Sequence, residues 1–232
     1  MARAPAGERL ATIATAATRV FGRLGYRGTR TADVAREAGI SNGSLFTYVE
    51  SKEALFYLVF AHGFGRLDEV LPTLPLATPG PGETIELIRQ ELRKVPAPRL
   101  RAAFTEDRPA DAVAELRSIV DERYGIIETL WPLLAVIERC ALDLPELDAF
   151  YFGEARRGFF VRLTEYIELR ASGGYLRVTP DAAVTARLII ESVTWFAWKR
   201  RQGRDAHTYD DEVVRRSVLD FVCSALTPGG EV

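Results

Sequence analysis

Apolar residues recur at steps of three and four along almost the whole chain and nowhere alternate over the length of a strand, so the sequence points to an all-α fold. The first run, Leu10, Ile13, Ala17, Val20, Phe21 and Leu24, predicts a helix over about 8–24 that Gly25 and Gly28 break. A short helix is expected over 31–38, with Asp33 and the Thr31 hydroxyl placed at its start. Gly39-Ile40-Ser41 reads as a tight turn, and Ser41 as the cap of a second short helix over about 42–49. Ser51 then caps a long helix in which Leu55, Phe56, Val59, Phe60, Phe64, Leu67 and Leu71 form one stripe. Residues 72–82 (PTLPLATPGPG) are too rich in proline and glycine for regular helix. Ile85, Ile88, Leu92 and Val95 mark the next helix, followed by a loop holding Pro96, Pro98 and Pro109. The pattern is helical again over 111–141, where Pro132 is expected to kink or break it. Pro145 opens a helix carrying Phe152, Ala155, Phe159, Leu163 and Tyr166, which Gly173-Gly174 ends. Thr179-Pro180-Asp181 has the cap-then-proline form of a new start, for a helix to about 201. After a polar loop over 202–208, Val214, Val218, Phe221 and Leu226 mark the last helix. The sum is about nine helices with no internal repeat.

At 232 residues, with 47% hydrophobic and 27% charged residues, the chain is long enough to bury a real core or to form a two-part molecule. No stretch approaches the apolar length of a membrane span, and MARAPAGERL leads into no apolar core, so neither a membrane segment nor a secretory signal is expected. Cys140 and Cys223 lie far apart in apolar helical contexts and read as reduced and buried, which suits a reducing cytoplasm. The net charge is −2, but residues 1–60 carry +3, which leaves −5 on the remainder. A basic head on an acidic body is the asymmetry expected where one end meets phosphate.

Catalysis would need a constellation of histidine, cysteine or carboxylates. The two histidines, His62 and His207, have no metal-ligand spacing, and phosphate loop, nucleophile elbow and paired cysteines are all missing. No catalytic residue, metal or cofactor is expected.

Residues 29–55, TRTADVAREAGISNGSLFTYVESKEAL, have the form of a helix-turn-helix. Val34, Ala35, Ala38, Ile40, Leu45 and Val49 supply a small core, and Ala35 and Gly39 permit close approach. Asn42, Gly43, Ser44, Thr47 and Tyr48 are left facing outward. This polar, uncharged and mostly short face suits a major groove, where it can meet base edges, phosphates and thymine methyls. A helical hairpin of any purpose can place a glycine turn between short helices, so the motif alone leaves other uses open.

The run of matches is more specific. Val34-Ala35, Ala38-Gly39-Ile40-Ser41, Gly43, Leu45, Tyr48 and Ser51-Lys52-Glu53-Ala54-Leu55 resemble the signature of the TetR/AcrR family of transcriptional regulators. Phe21, Leu24-Gly25-Tyr26 and Thr29 resemble that family's first helix and its exit. Two positions depart: Phe46 stands where the family usually has Tyr, and Val49 where Phe is common. The resemblance is strong over about 8–60. It implies a helix-turn-helix DNA-binding domain over 1–50 and a ligand-sensing, dimerising helical body over 51–232. Thr31 would present its hydroxyl and neighbouring amides to a phosphate. Asn42, Ser44 and Thr47 would meet base edges beside Gly43, while Tyr48 and Lys52 would hold phosphates. Arg27 and Arg30 join the DNA-binding set by charge alone.

The resemblance further implies a double-stranded DNA operator, a homodimer through about 180–201 and 210–226, and a small-molecule effector, with repression as the family default. Residues 180–201 are apolar on more than one face (Leu188, Ile189, Ile190, Val193, Trp195, Phe196, Trp198), which suits either a partner helix or a monomer's own core. Candidate pocket residues are Phe60, Phe64, Leu67, Ile88, Leu92, Phe104, Trp131, Leu134, Phe159 and Tyr166, each equally at home in plain core. The expected break at Pro132, beside Trp131, suits a pocket wall, a hinge or a helix boundary. The effector is expected to be apolar or aromatic and to bind among the helix from 51, the helix over 85–95 and the Pro132 segment.

Overall fold

The computed structural model describes residues 6–95, 97–106, 108–202 and 209–229, so Pro96, His207 and nearly all of the expected loop over 202–208 lie outside the described residues. Among the described residues the regular structure is helical, with one isolated parallel bridge, Val49 to Leu76. In chain order the helices are α1 (Ala6–Gly28), α2 (Thr31–Glu37), α3 (Asn42–Leu45), α4 (Lys52–Gly63), α5 (Leu67–Val70) and α6 (Glu83–Lys94). They continue with α7 (Pro98–Ala102), α8 (Ala112–Ala141), α9 (Pro145–Asp148), α10 (Arg157–Ser172), α11 (Ala182–Ala197) and α12 (Asp211–Leu226). Every expected helix has a counterpart, and α7 is an addition.

The chain divides into two compact units. The first takes 1–95 with 132–153, and the second takes 96–131 with 154–232. In the first unit, α1 buries Leu10, Ile13, Ala17, Val20 and Phe21, and packs on α2 and α4. Gly25, at φ 76 and ψ 179, interrupts α1 where the sequence placed its end. Phe56 sits edge-on to both Phe21 and Tyr26 with ring centres 5.1 Å apart, joining α1 to α4. The expected 51–71 helix is two pieces. Gly65 adopts φ 75, Arg66 donates its N–H to Ala61 O at 2.7 Å and Gly65 to His62 O at 3.0 Å, a left-handed helix end that stops α4. The apolar spacing of Phe64, Leu67 and Leu71 continues past this stop, which is why periodicity alone joined the pieces.

In the second unit α10 packs on α7 and α11, and α11 on α12. Its interior holds Tyr124, Tyr166, Val193, Trp198 and Val222. Arg170 is buried completely among them. Its Nε and Nη2 donate to the two Glu115 carboxylate oxygens at 2.8 and 3.0 Å, Nη2 also to Ala103 O at 2.6 Å and Nη1 to Glu106 O at 2.9 Å. Tyr166 Oη donates to Glu115 Oε1 at 3.0 Å. A buried guanidinium is tolerable only when its donors are met in this way.

Three further expectations are corrected. Helix α8 runs unbroken through Pro132, because the missing amide removes one bond of a 30-residue ladder while those on either side continue. Residues 149–156 form a π-helical segment between α9 and α10, where one continuous helix was expected. Asp181, which follows Pro180, is the cap of α11, its carboxylate accepting the Val184 N–H at 2.8 Å.

Candidate nucleic-acid interface

Of the expected small core of the head, Val34, Ala35, Ala38, Leu45 and Val49 are buried and Ile40 is half-buried, and α2 packs on α1 and α3. Asp33 accepts the Arg30 N–H at 3.3 Å and the Arg36 guanidinium at 2.6 Å, fixing the start of α2. At its end, Gly39 takes φ 67, with Ile40 N–H donating to Ala35 O at 3.0 Å. A side chain at Gly39 would meet nothing within 4 Å, so the left-handed backbone is what calls for glycine there. Ser41 Oγ accepts the Ser44 N–H at 3.0 Å and caps α3.

Helix α3 is shorter than the expected 42–49. Beyond Leu45 the chain turns through three-residue bonds, Thr47 N–H to Ser44 O at 3.2 Å and Tyr48 N–H to Leu45 O at 2.9 Å, and then enters the bridge at Val49. The Thr47 hydroxyl donates to Ser44 O at 2.8 Å, a local bond that competes with the helical ladder.

Asn42, Gly43, Ser44 and Thr47 are brought together on one exposed surface, and Tyr48 is half-buried at its edge. A Cβ on Gly43 would come no closer than 3.9 Å to Ser41 Oγ, so the fold itself does not require glycine there and the site stays flat for an approaching partner. Phe46, outside the expected outward set, is 42% exposed at the end of α3. Its spacing of four from Asn42 and three from Gly43 was the signal that places it on the same face.

Around this surface the charges differ in availability. Arg19 and Arg23 lie 3.7 and 3.9 Å from Glu37, and Arg36 is held by Asp33. The exposed guanidinium groups of Arg27 and Arg30 have no ion pair among the described residues. Thr31 stands half-buried at the first position of α2. Lys52 turns inward: its ammonium donates to Tyr26 O at 2.9 Å and Thr29 O at 3.2 Å, and stands 4.6 Å from the centre of the Tyr26 ring. Tyr26 Oη donates to Glu53 Oε1 at 2.9 Å, and burial together with that carboxylate pushes the phenol pKa upward. A bond from its own backbone N–H, together with the Tyr26 hydroxyl, holds Glu53 below the usual carboxylate range. Arg27 N–H donates to Asp143 at 2.8 Å, so residue 143 also fixes the end of α1. No sequence signal foretold that long-range contact.

The proposed pocket residues divide between the units. In the first, Phe60, Ile88 and Leu134 are buried, while Phe64, Leu67 and Leu92 are half-buried. In the second, Tyr166 is buried and bonded to Glu115, while Phe104, Trp131 and Phe159 are half-buried. The first unit has an open cleft of about 420 Å³ beside α4 and α6, whose walls include Tyr57, Arg66, Gly82 and Glu86 and none of these ten residues. Among the described residues no group of three or more His, Cys, Asp or Glu is placed to hold a metal ion, and no helix is long and apolar enough to cross a membrane.

Residues 13–58 match the sequence model of bacterial regulatory proteins of the tetR family. No curated protein matches the chain. Among solved structures, the ketosteroid transcriptional regulator KstR2 of Mycobacterium tuberculosis is similar at 17% identity and a TM-score of 0.59, with 98% of each chain covered. A tetR-family regulatory protein from Rhodococcus RHA1 is similar at 18% identity and a TM-score of 0.53, with 96% of this chain and 99% of that one covered. AibR, in a complex with isovaleryl coenzyme A and operator DNA, is similar at 18% identity and a TM-score of 0.52, with 96% of this chain and all of that chain covered.

Proposed function

We propose that this chain, a tetR-family regulator by its head and fold, is a cytoplasmic homodimeric repressor that a small apolar effector releases from a pseudo-palindromic operator. The observation that carries the reading is the exposed row of Asn42, Gly43, Ser44 and Thr47 in the same unit as Arg27 and Arg30, whose exposed guanidinium groups have no ion pair among the described residues. Hydroxyls and an amide on an exposed surface can read base edges, while the two guanidinium groups can hold phosphates. Thr31 and Tyr48 are the remaining candidate phosphate contacts. The assigned role of Lys52 is different: it ties the end of α1 to the start of α4, and thereby positions the row.

The exposed apolar residues of α11 and α12 favour the dimer. Val184, Leu188 and Trp195 share one stripe of α11, with Leu188 64% exposed, and Val213 and Phe221 share one stripe of α12, with Phe221 70% exposed. Two neighbouring helices with uncovered apolar stripes are suited to a two-fold, four-helix interface. The effector is assigned to the half-buried Phe64, Leu67 and Leu92 of the first unit, and the complex of AibR with isovaleryl coenzyme A supports an apolar moiety.

The test begins with selection of duplexes from a random pool. The enriched sequence should be an inverted repeat with half-site centres spaced by one or more helical turns, about 34 Å each. Phe221→Asp should convert a sedimenting dimer to monomer and abolish binding to that sequence. A monomeric wild type that binds a single half-site tightly, or a pool with no enriched sequence, would refute the proposal.

A further inference from the structure

The segment between α5 and α6 is not a passive connection. Leu76 N–H donates to Tyr48 O at 2.8 Å, and Glu50 N–H donates to Leu76 O at 3.0 Å, which closes the parallel bridge between Val49 and Leu76. Two residues on, Thr78 N–H donates to Glu50 Oε2 at 3.1 Å and the Thr78 hydroxyl donates to Ser51 Oγ at 2.8 Å. Ser51 Oγ also accepts the Ala54 N–H at 3.1 Å as the cap of α4. Residues 74–78 therefore grip the exit of the recognition segment and the first turn of α4 together. Past them, Gly80 N–H donates to Glu83 Oε2 at 2.8 Å, which fastens the segment to the start of α6.

We infer that this strap is a positioning element of the DNA-reading surface, and that Leu76 and Thr78, far in sequence from the helix-turn-helix, set the operator specificity of the head through Tyr48 and Ser51. The inference rests on the reading of the head as a DNA interface. Its ground is the shortness of α3. Thr47 and Tyr48 lie beyond the last helical residue, Leu45, and are held from upstream by a single turn of three-residue bonds to Ser44 O and Leu45 O rather than by a continuing helix. Upstream the segment is pinned by the Ser41 cap, and downstream by the strap. Base readout depends on donors and acceptors held at fixed places, because each residue left to be ordered on binding lowers affinity for the correct sequence. Phosphate attraction is long-ranged and sequence-independent, and depends far less on that order.

This difference supplies the test. Leu76→Pro removes the N–H that Tyr48 O accepts. Thr78→Val keeps the side chain's shape and removes its hydroxyl, and Thr78→Ser restores the hydroxyl. The probes are the duplex enriched from a random pool and an unrelated duplex of equal length. Leu76→Pro and Thr78→Val are expected to bind the enriched duplex about tenfold more weakly, with unchanged affinity for the unrelated duplex and an unchanged salt dependence. Thr78→Ser should match the wild type. Linkage requires the reciprocal effect, so the enriched duplex should raise the hydrogen-exchange protection of the Leu76 and Glu50 amides. Should Leu76→Pro fail to fold, Thr78→Val decides. Equal binding of the enriched duplex by Thr78→Val and wild type would overturn the inference. So would a proportional loss on both duplexes, or a Thr78→Ser protein that behaves like Thr78→Val. If no duplex is enriched, the reading of the head falls and the inference falls with it, whereas an enriched duplex bound equally by all variants overturns the strap alone.

Discussion

Replacing Lys52 by methionine separates two roles for that residue that differ in a measurable number. Methionine keeps the length of the stem and removes the ammonium, so Tyr26 O and Thr29 O lose the donor that lies 2.9 and 3.2 Å away. Hydrogen bonds to a charged group contribute about 1.5–3 kcal/mol each. Lys52 is half-buried and water can replace part of the loss, so the pair together should contribute about 2 kcal/mol. For a chain of this size that lowers the unfolding midpoint by roughly 4–8 °C. A lysine on a phosphate would instead act on the salt dependence of operator binding. Each phosphate contact contributes about 0.9 to the slope of log K against log salt concentration, and a dimer carries two copies, so its loss would flatten the slope by about 1.8. The expected result for Lys52→Met is a lower melting midpoint and weaker operator binding at an unchanged slope. Arg30→Ala, whose guanidinium has no ion pair among the described residues, should flatten the slope by about 1.8 with little change in melting. A Lys52→Met protein that melts normally and loses about 1.8 from the slope would refute the inward role.

The buried pair in the second unit gives another expectation. Arg170→Met leaves the Glu115 carboxylate without its main partner and should cost about 3–5 kcal/mol, most of which Glu115→Leu in the same chain should restore. Chemical denaturation of the two variants checks this, and a cost under about 1 kcal/mol for the single change contradicts it. Cys140 is buried beside the carbonyl of Phe21, and burial pushes its thiol up to about 12. At pH 8 only about one part in ten thousand is thiolate, so alkylation of the folded protein should be far slower there than for an unfolded thiol. Because the unfolded thiol loses its proton first, near its ordinary pKa of about 8.5, stability should fall as pH rises from there toward 12, and Cys140→Ala should remove that component. For packing, a Cβ on Gly63 would stand 2.5 Å from Leu133, so Gly63→Ala should destabilise by about 1–3 kcal/mol in urea titration, and Leu133→Ala in the same chain should relieve the clash.

What the sequence made legible is what short-range chemistry decides. Ser41 and Ser51 announced two helix starts because a cap needs only its own hydroxyl and an amide three residues on. The outward row of the head followed from the burial of Leu45 and Val49. The misses share the opposite property. The strap pairs through Leu76 backbone atoms, and backbone pairing leaves little trace in side-chain identity. Lys52 turns inward for two carbonyls, groups every residue carries. The stop after Gly63 hides inside a continuing apolar rhythm, since a left-handed residue at Gly65 changes the direction of the chain without changing its spacing. At Pro132 local rules overstated the effect of one missing amide in a helix of 30 residues.

The first compact unit is written in two stretches of chain, 1–95 and 132–153. Asp143 holds the Arg27 amide, and Leu133 occupies the space that Gly63 leaves open. A head excised after residue 50, or even after 95, would therefore lack side chains that complete its own packing. Grafting this head onto another body by a single splice would transplant an unfinished part. A transferable cassette must bring 132–153 as a second insert, with a linker in place of 96–131, or receive an equivalent segment from its new host. Reporter circuits assembled from hybrids of this chain will succeed or fail on that second junction.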